Sequence, residues 1–131
     1  MVKIEKNKSQ LQSISLVISQ LNMLVCLVND IADLKRIEDG SFTCKNSKFN
    51  PRKALDFVIS IFTLQCELQK AKLQIVGDDN CVPTKLVGDK ARLEQVIFTL
   101  IKYCLRLSKG SNIFVRPAYD PVSFSFTVRI G

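Results

Sequence analysis

The chain has 131 residues, a size that buries roughly two thirds of its unfolded surface and supports one hydrophobic core without staples. It is 47% hydrophobic and 24% charged, which excludes a disordered chain, and its formal net charge of +7 favours anionic partners without naming one. It holds no histidine, which excludes Ser–His and Cys–His nucleophile pairs, phosphohistidine chemistry and most zinc sites.

Five cysteines (Cys26, Cys44, Cys66, Cys81, Cys104) without a Cys-x-x-Cys pair read as reduced thiols. Apolar stretches such as LVISQLNMLVCLV are broken by polar residues and read as too short to cross a bilayer. No secretory pattern follows the lysine-rich start. The expectation is a cytoplasmic or nuclear protein with no membrane partner.

In chain order, residues 1–8 are charged and aperiodic, so a frayed start is expected. A helix follows over 11–37. One apolar stripe runs Leu11, Ile14, Ile18, Leu21, Val25, Val28 and Ala32; a second runs Val17, Leu24 and Ile31, with Leu27 and Leu34 beside it. Such stripes put apolar residues on two sides of one helix. Gly40 suits a left-handed cap. Residues 41–49 read as a strand. Asn50-Pro51 then reads as an N-cap followed by proline at the first helical position. That helix runs to about residue 70, with Leu55, Val58, Ile59, Phe62 and Cys66 inward. Residues 72–76 form a strand, and Gly77-Asp78-Asp79-Asn80 a turn. Asp89 caps the third helix, whose inward face is Leu93, Val96, Ile97, Leu100, Ile101 and Cys104; Lys109-Gly110 ends it. Strands over 113–117 and 123–130 are joined by a hairpin at Ala118-Tyr119-Asp120-Pro121. This order predicts an α+β fold: a long interaction helix over residues 1–40, then a two-layer α/β sandwich over 41–131, its mixed sheet carrying two helices on one face.

Three segments resemble a known family in the right order. LVNDIADLKRIEDG (residues 27–40) resembles the second dimerisation helix of sensor histidine kinases, through Asn29, Asp30, Asp33, Leu34, Arg36, Ile37, Glu38 and Gly40. KFNPRKALDFV resembles the entry to the first helix of their catalytic ATPase domain. VPTKLVGDKARLEQVIFTLIKY resembles the approach to that domain's metal-binding helix, through Pro83, Gly88, Asp89, Arg92, Leu93, Gln95 and Val96. The resemblance covers Leu11 to about Val128 and implies a truncated ATPase-like half domain behind a dimerisation-like helix. It places the first dimerisation helix with its phosphoacceptor histidine, the nucleotide lid and the second glycine box outside the chain.

The resemblance also implies where nucleotide chemistry would sit. It puts Thr99 and Tyr103 at two asparagine positions, the second of them the Mg²⁺ ligand, and Ile130 at the adenine-reading aspartate. Magnesium takes hard oxygen ligands in tight octahedral geometry, and a neutral phenol is a poor one. The expectation is therefore a pseudoenzyme, not an enzyme, with no cofactor and no metal, degenerate at Thr99, Tyr103 and Ile130. Its expected work is protein–protein association, as a homodimer or as an adaptor subunit of a larger complex, through Ile14, Ile18, Leu21, Val25, Val28 and Ala32, because exposed apolar sides mark an interface. The alternative is a basic accessory subunit of a DNA- or RNA-handling complex, with Lys102, Arg106, Lys109 and Arg116 contacting phosphates without sequence preference. Cations at a helix C-terminus are the plainer account of that cluster. An active kinase or ATPase is the third alternative. Asp78, Asp79 and Asp89 read as turn and cap residues rather than metal ligands.

Overall fold

A computed structural model describes residues 2–78, 82–108 and 110–131, with side chains from residue 7 onward. Asp79, Asn80, Cys81 and Lys109, all named above, lie outside the described residues. The chain divides into two units, Met1–Thr43 and Cys44–Gly131.

The first unit is one helix, α1 (Val2–Glu38, 37 residues). It starts nine residues before the expected 11, so the charged opening is helical and not frayed. Lysine and glutamate are good helix formers, and this outweighs their lack of apolar periodicity. Gly40 ends the helix at φ 68. The Ser41 N–H donates to Arg36 O at 2.8 Å and the Gly40 N–H to Ile37 O at 3.1 Å, the paired bonds of a Schellman cap.

In the second unit, β1 (Ser47–Phe49) leads to α2 (Pro51–Leu68). The Asn50 side chain accepts from the Lys53 N–H at 3.1 Å, with Pro51 following as expected. Then come β2 (Leu73–Ile75), β3 (Leu86–Gly88), α3 (Lys90–Ser108), β4 (Ile113–Asp120) and β5 (Ser125–Ile130). The strands form two sheets rather than one: an antiparallel β1–β3 pair, and a three-stranded sheet in the order β2-β4-β5. β2 runs parallel to β4, and β5 antiparallel to it. A parallel pair needs a crossover, and α3 supplies it. β3 is three residues long and is not among the strands expected from the sequence; strands that short carry no alternation to detect.

β4 reaches Asp120, past the point where residues 118–121 were expected to turn, and the loop lies at residues 121–124. Phe114 and Gly131 exchange both backbone bonds, so even-numbered β4 residues bond to β5 and odd ones face β2. Pro117 therefore turns its donorless nitrogen to the β2 side, beyond the last bond there, Val76 N–H to Val115 O at 2.8 Å. A proline is tolerated at that point because no partner strand asks it for a hydrogen.

Both helices cover one face of the three-stranded sheet. Leu55, Val58 and Phe62 of α2 meet Ile97, Phe98, Ile101 and Leu105 of α3 above Ile113 and Val115 of β4, all buried. The Phe62 and Phe98 ring centroids are 4.8 Å apart, tilted by 43°. The inward face of α3 differs from the expected one. Val96 and Leu100 are exposed, and Phe98 and Leu105 are buried instead.

Lys70 closes α2 with a second Schellman cap: the Ala71 N–H donates to Cys66 O at 2.9 Å and the Lys70 N–H to Glu67 O at 3.1 Å. Lys70 holds φ 56, a conformation that crowds a Cβ. Lys70→Gly is therefore expected to stabilise the second unit by up to about 1 kcal/mol, read as a higher urea midpoint at unchanged slope. A lower midpoint would show that the lysine side chain matters more than its backbone strain.

Candidate functional site

Three groups of residues were singled out from the sequence, and the structure treats each differently. The α1 group is intact. Ile14, Ile18, Leu21, Val25 and Val28 are each 53–57% exposed, and Ala32 is exposed as well. Their spacing alternates four and three, which keeps a seam along one side of a helix. Val17, Leu24, Ile31, Leu27 and Leu34 are exposed too, so α1 presents apolar surface on more than one side. α1 also corrects the expectation about length. Its segment Asn7–Glu38 is long and apolar enough to cross a membrane, by length and composition. No charge occurs between Lys8 and Asp30, and the serines, glutamines and asparagines within the run are uncharged and scattered.

The second group lies on α3 and β5. Thr99 and Tyr103 are four residues apart and share a helix face. Tyr103 is 54% exposed, with Lys102 Nζ 5.7 Å from its ring centroid. Val96, Leu100 and Leu107 are exposed on α3 together with Tyr103, an apolar stripe that sequence reading assigned in part to the core. Two apolar series at helical spacing overlap here, 96-100-103-107 and 97-101-105, and periodicity cannot choose between them. Ile130 stands opposite Val115 in the β4–β5 ladder, on the helix-covered face. Directly opposite residues share a face.

The third group, the expected basic patch, is divided. Lys102 and Arg106 sit on α3. Arg116 alternates with the buried Val115 and Pro117, so it lies on the sheet face turned away from the helices. These three do not form one surface, because a strand sends successive side chains to opposite sides. Arg116 has another neighbour instead: Arg129 of β5 is its direct ladder partner. Neither has an acidic partner among the described residues. Sequence reading missed Arg129, since only strand register brings it there.

Asp89 serves as a cap, as expected. One carboxylate oxygen accepts from the Arg92 N–H at 3.2 Å, and the other from the Lys45 N–H at 2.8 Å, tying the loop before β1 to the start of α3. The Lys45 amide, with help from the Arg92 amide and charge, holds the carboxyl below its usual 3.8. A depressed folded-state pKa gives stability that is present above the unfolded value and lost as pH falls through the folded one. Asp89→Asn, which keeps the cap shape, is expected to flatten the loss of stability as pH falls through and below the ordinary carboxylate range; Asp89→Ala removes about 0.5–2 kcal/mol at neutral pH. Urea unfolding across that range checks both, and an unchanged acid limb in Asp89→Asn would contradict the assignment.

No protein-family model matches the chain. Among curated relatives, histidine kinase 5 of Arabidopsis thaliana is 27% identical over 110 residues, 84% of this chain and 12% of the relative. Probable histidine kinase 5 of Oryza sativa subsp. japonica is 31% identical over 93 residues, 71% of this chain and 8% of the relative. Histidine kinase 3 of Arabidopsis thaliana is 30% identical over 92 residues, 70% of this chain and 9% of the relative.

The chain is a relative of the histidine kinases.

Among solved structures, the Acinetobacter baumannii histidine kinase AdeS matches at a TM-score of 0.62 and 20% identity, over 79% of this chain and 51% of that chain. At that identity the likeness is one of fold: a long N-terminal helix followed by sheet and helices. The expectation of a chain that is no enzyme is corrected here, because its relatives are histidine kinases, which are enzymes. The chain spans 8–12% of the length of these curated relatives.

Proposed function

We propose that this chain is an assembly element of a histidine-kinase-type protein: α1 pairs with a second helix, in a homodimer or a hetero-complex, and carries the unit Cys44–Gly131 into the assembly. The activity in the relatives' names enters at the level of that assembly, in which the α/β unit takes part in the kinase. The observation that carries the reading is the exposed seam Ile14, Ile18, Leu21, Val25, Val28 and Ala32. Exposed apolar surface of that extent marks an interface in proteins that live in water. Helices with such seams bury them against one another in coiled coils and four-helix bundles. Each buried valine, leucine or isoleucine contributes roughly 1.5–3 kcal/mol, and four or more per chain outweigh the roughly 4–15 kcal/mol lost on association.

A bilayer is the other environment able to cover α1, since Asn7–Glu38 has the length and apolarity for it. Two measurements separate these. Sedimentation equilibrium of the purified chain is expected to give a concentration-dependent mass above 14.8 kDa, in the absence of lipid. A monomer up to about 100 μM, where an association of roughly 5–6 kcal/mol would show, overturns the homodimer form; flotation of that monomer with vesicles, lost in Val25→Asp, transfers α1 to the bilayer.

A further inference from the structure

The β4–β5 hairpin ends in an apolar tip. Val122 is 87% exposed and Phe124 81%. Phe124 holds φ 52, in the left-handed region where a bulky side chain is a true outlier. A short hairpin loop closes through such a residue, and glycine or asparagine is the usual occupant. Here the fold keeps an aromatic at that point and exposes it to water. The loop is braced rather than loose. Asp120 accepts from the Val122 N–H at 2.9 Å and from the Ser123 hydroxyl at 2.6 Å, and the Ser123 hydroxyl lies 3.0 Å from that of Ser125. Those bonds, the Ser123 hydroxyl foremost, hold the Asp120 carboxyl below its usual range.

Behind the tip, Arg116 and Arg129 stand directly opposite on the open sheet face. Like charges so placed repel, and neither has an acidic partner among the described residues. We propose that this hairpin is an anchor for anionic lipid bilayers: Val122 and Phe124 enter the apolar boundary, and Arg116 and Arg129 contact headgroup phosphates. The arginines lie four ladder positions from Asp120, about 14 Å up the strands at roughly 3.4 Å per residue. With the tip about 5–10 Å deep in the boundary, the depth of interfacial anchors, long guanidinium side chains reach the phosphate layer. A bilayer fits the tip better than a protein does. The tip is a convex turn with two large apolar side chains, whereas a stable protein interface takes about 800 Å² from each partner. A bilayer needs no matching pocket, and it supplies the anions that the arginine pair lacks. This proposal departs from the absence of a membrane partner expected from the sequence.

The test uses the full chain. Because the protein has no tryptophan, Phe124→Trp places a sole indole at the tip. With vesicles of phosphatidylcholine and phosphatidylserine, its emission is expected to shift to the blue and to be quenched by brominated lipid. Vesicles of phosphatidylcholine alone should bind at least about tenfold more weakly, and Arg116→Glu with Arg129→Glu should lose a similar factor on the anionic vesicles. Phe124→Gly is expected to raise the melting temperature, by relieving the backbone, and yet to weaken vesicle binding, so loss of binding is not loss of fold. An unshifted indole in the presence of anionic vesicles overturns the proposal, including when the protein floats with them, because α1 then does the binding. Phe124→Gly that binds as tightly as the wild type overturns it too.

Discussion

Phe62→Ala is expected to remove about 3–5 kcal/mol from the stability of the second unit. The argument runs from packing. Phe62 is 0% exposed, and its ring meets Phe98 with centroids 4.8 Å apart and planes tilted by 43°, a favourable aromatic geometry worth about 0.5–1.5 kcal/mol beyond the area buried. The two rings join α2 to α3 over β4, and because interiors pack at crystal density the hole left by the ring closes only in part. Domains are stable by roughly 0.05–0.15 kcal/mol per residue, so the substitution takes a large share of the total. Urea unfolding followed by circular dichroism measures it. The double change Phe62→Ala with Phe98→Ala should fall short of the sum of the singles, since the rings share one contact. A loss below about 1 kcal/mol for Phe62→Ala, well under the usual range, would show that this pair does not hold the layers together.

Val25→Asp is expected to abolish association through α1. Val25 sits in the middle of the seam, with Ile18 and Leu21 before it and Val28 after. On pairing, the introduced carboxylate would be stranded among apolar side chains. Burying such a charge without a partner is prohibitive, so the helix would not pair. In the separated chain the same position is exposed, so the substitution should leave the fold intact. Surface substitutions of that kind usually change stability by less than about 0.5 kcal/mol. Sedimentation equilibrium reads the first half and circular dichroism the second. A Val25→Asp chain that still associates like the wild type would remove this seam from the proposal. Loss of helix and sheet signal together would instead show that α1 is needed for folding.

Local chemistry made much of the fold legible. Asn50-Pro51 wrote the start of α2, Gly40 the end of α1, and Asp89 the cap of α3, because each solves a bonding problem within a few residues of itself. The ends were harder. The Schellman cap at Lys70 carries no glycine to announce it, and Pro121, read as the end of the hairpin turn, is its first residue. Sequence motifs also made the kinase relatedness legible, since Asn29, Asp30, Gly88, Asp89 and Arg92 stand at family spacings. The step from Thr99, Tyr103 and Ile130 to a chain that is no enzyme is the one its histidine kinase relatives correct: substituted positions speak to a ligand, not to the activity of a family.

The sequence by itself determined that there is a long apolar helix, an α/β unit behind it, and the order of elements between them. Those are consequences of periodicity and capping, which act over one or two helical turns. Only the tertiary structure decided which of two overlapping stripes on α3 faces the core, because both satisfy the helical period and the sheet beneath selects one. Only the strand register set Arg129 beside Arg116 and sent both away from Lys102 and Arg106. Ladder pairing joins residues far apart in the chain, and no local rule states which partner a strand will take.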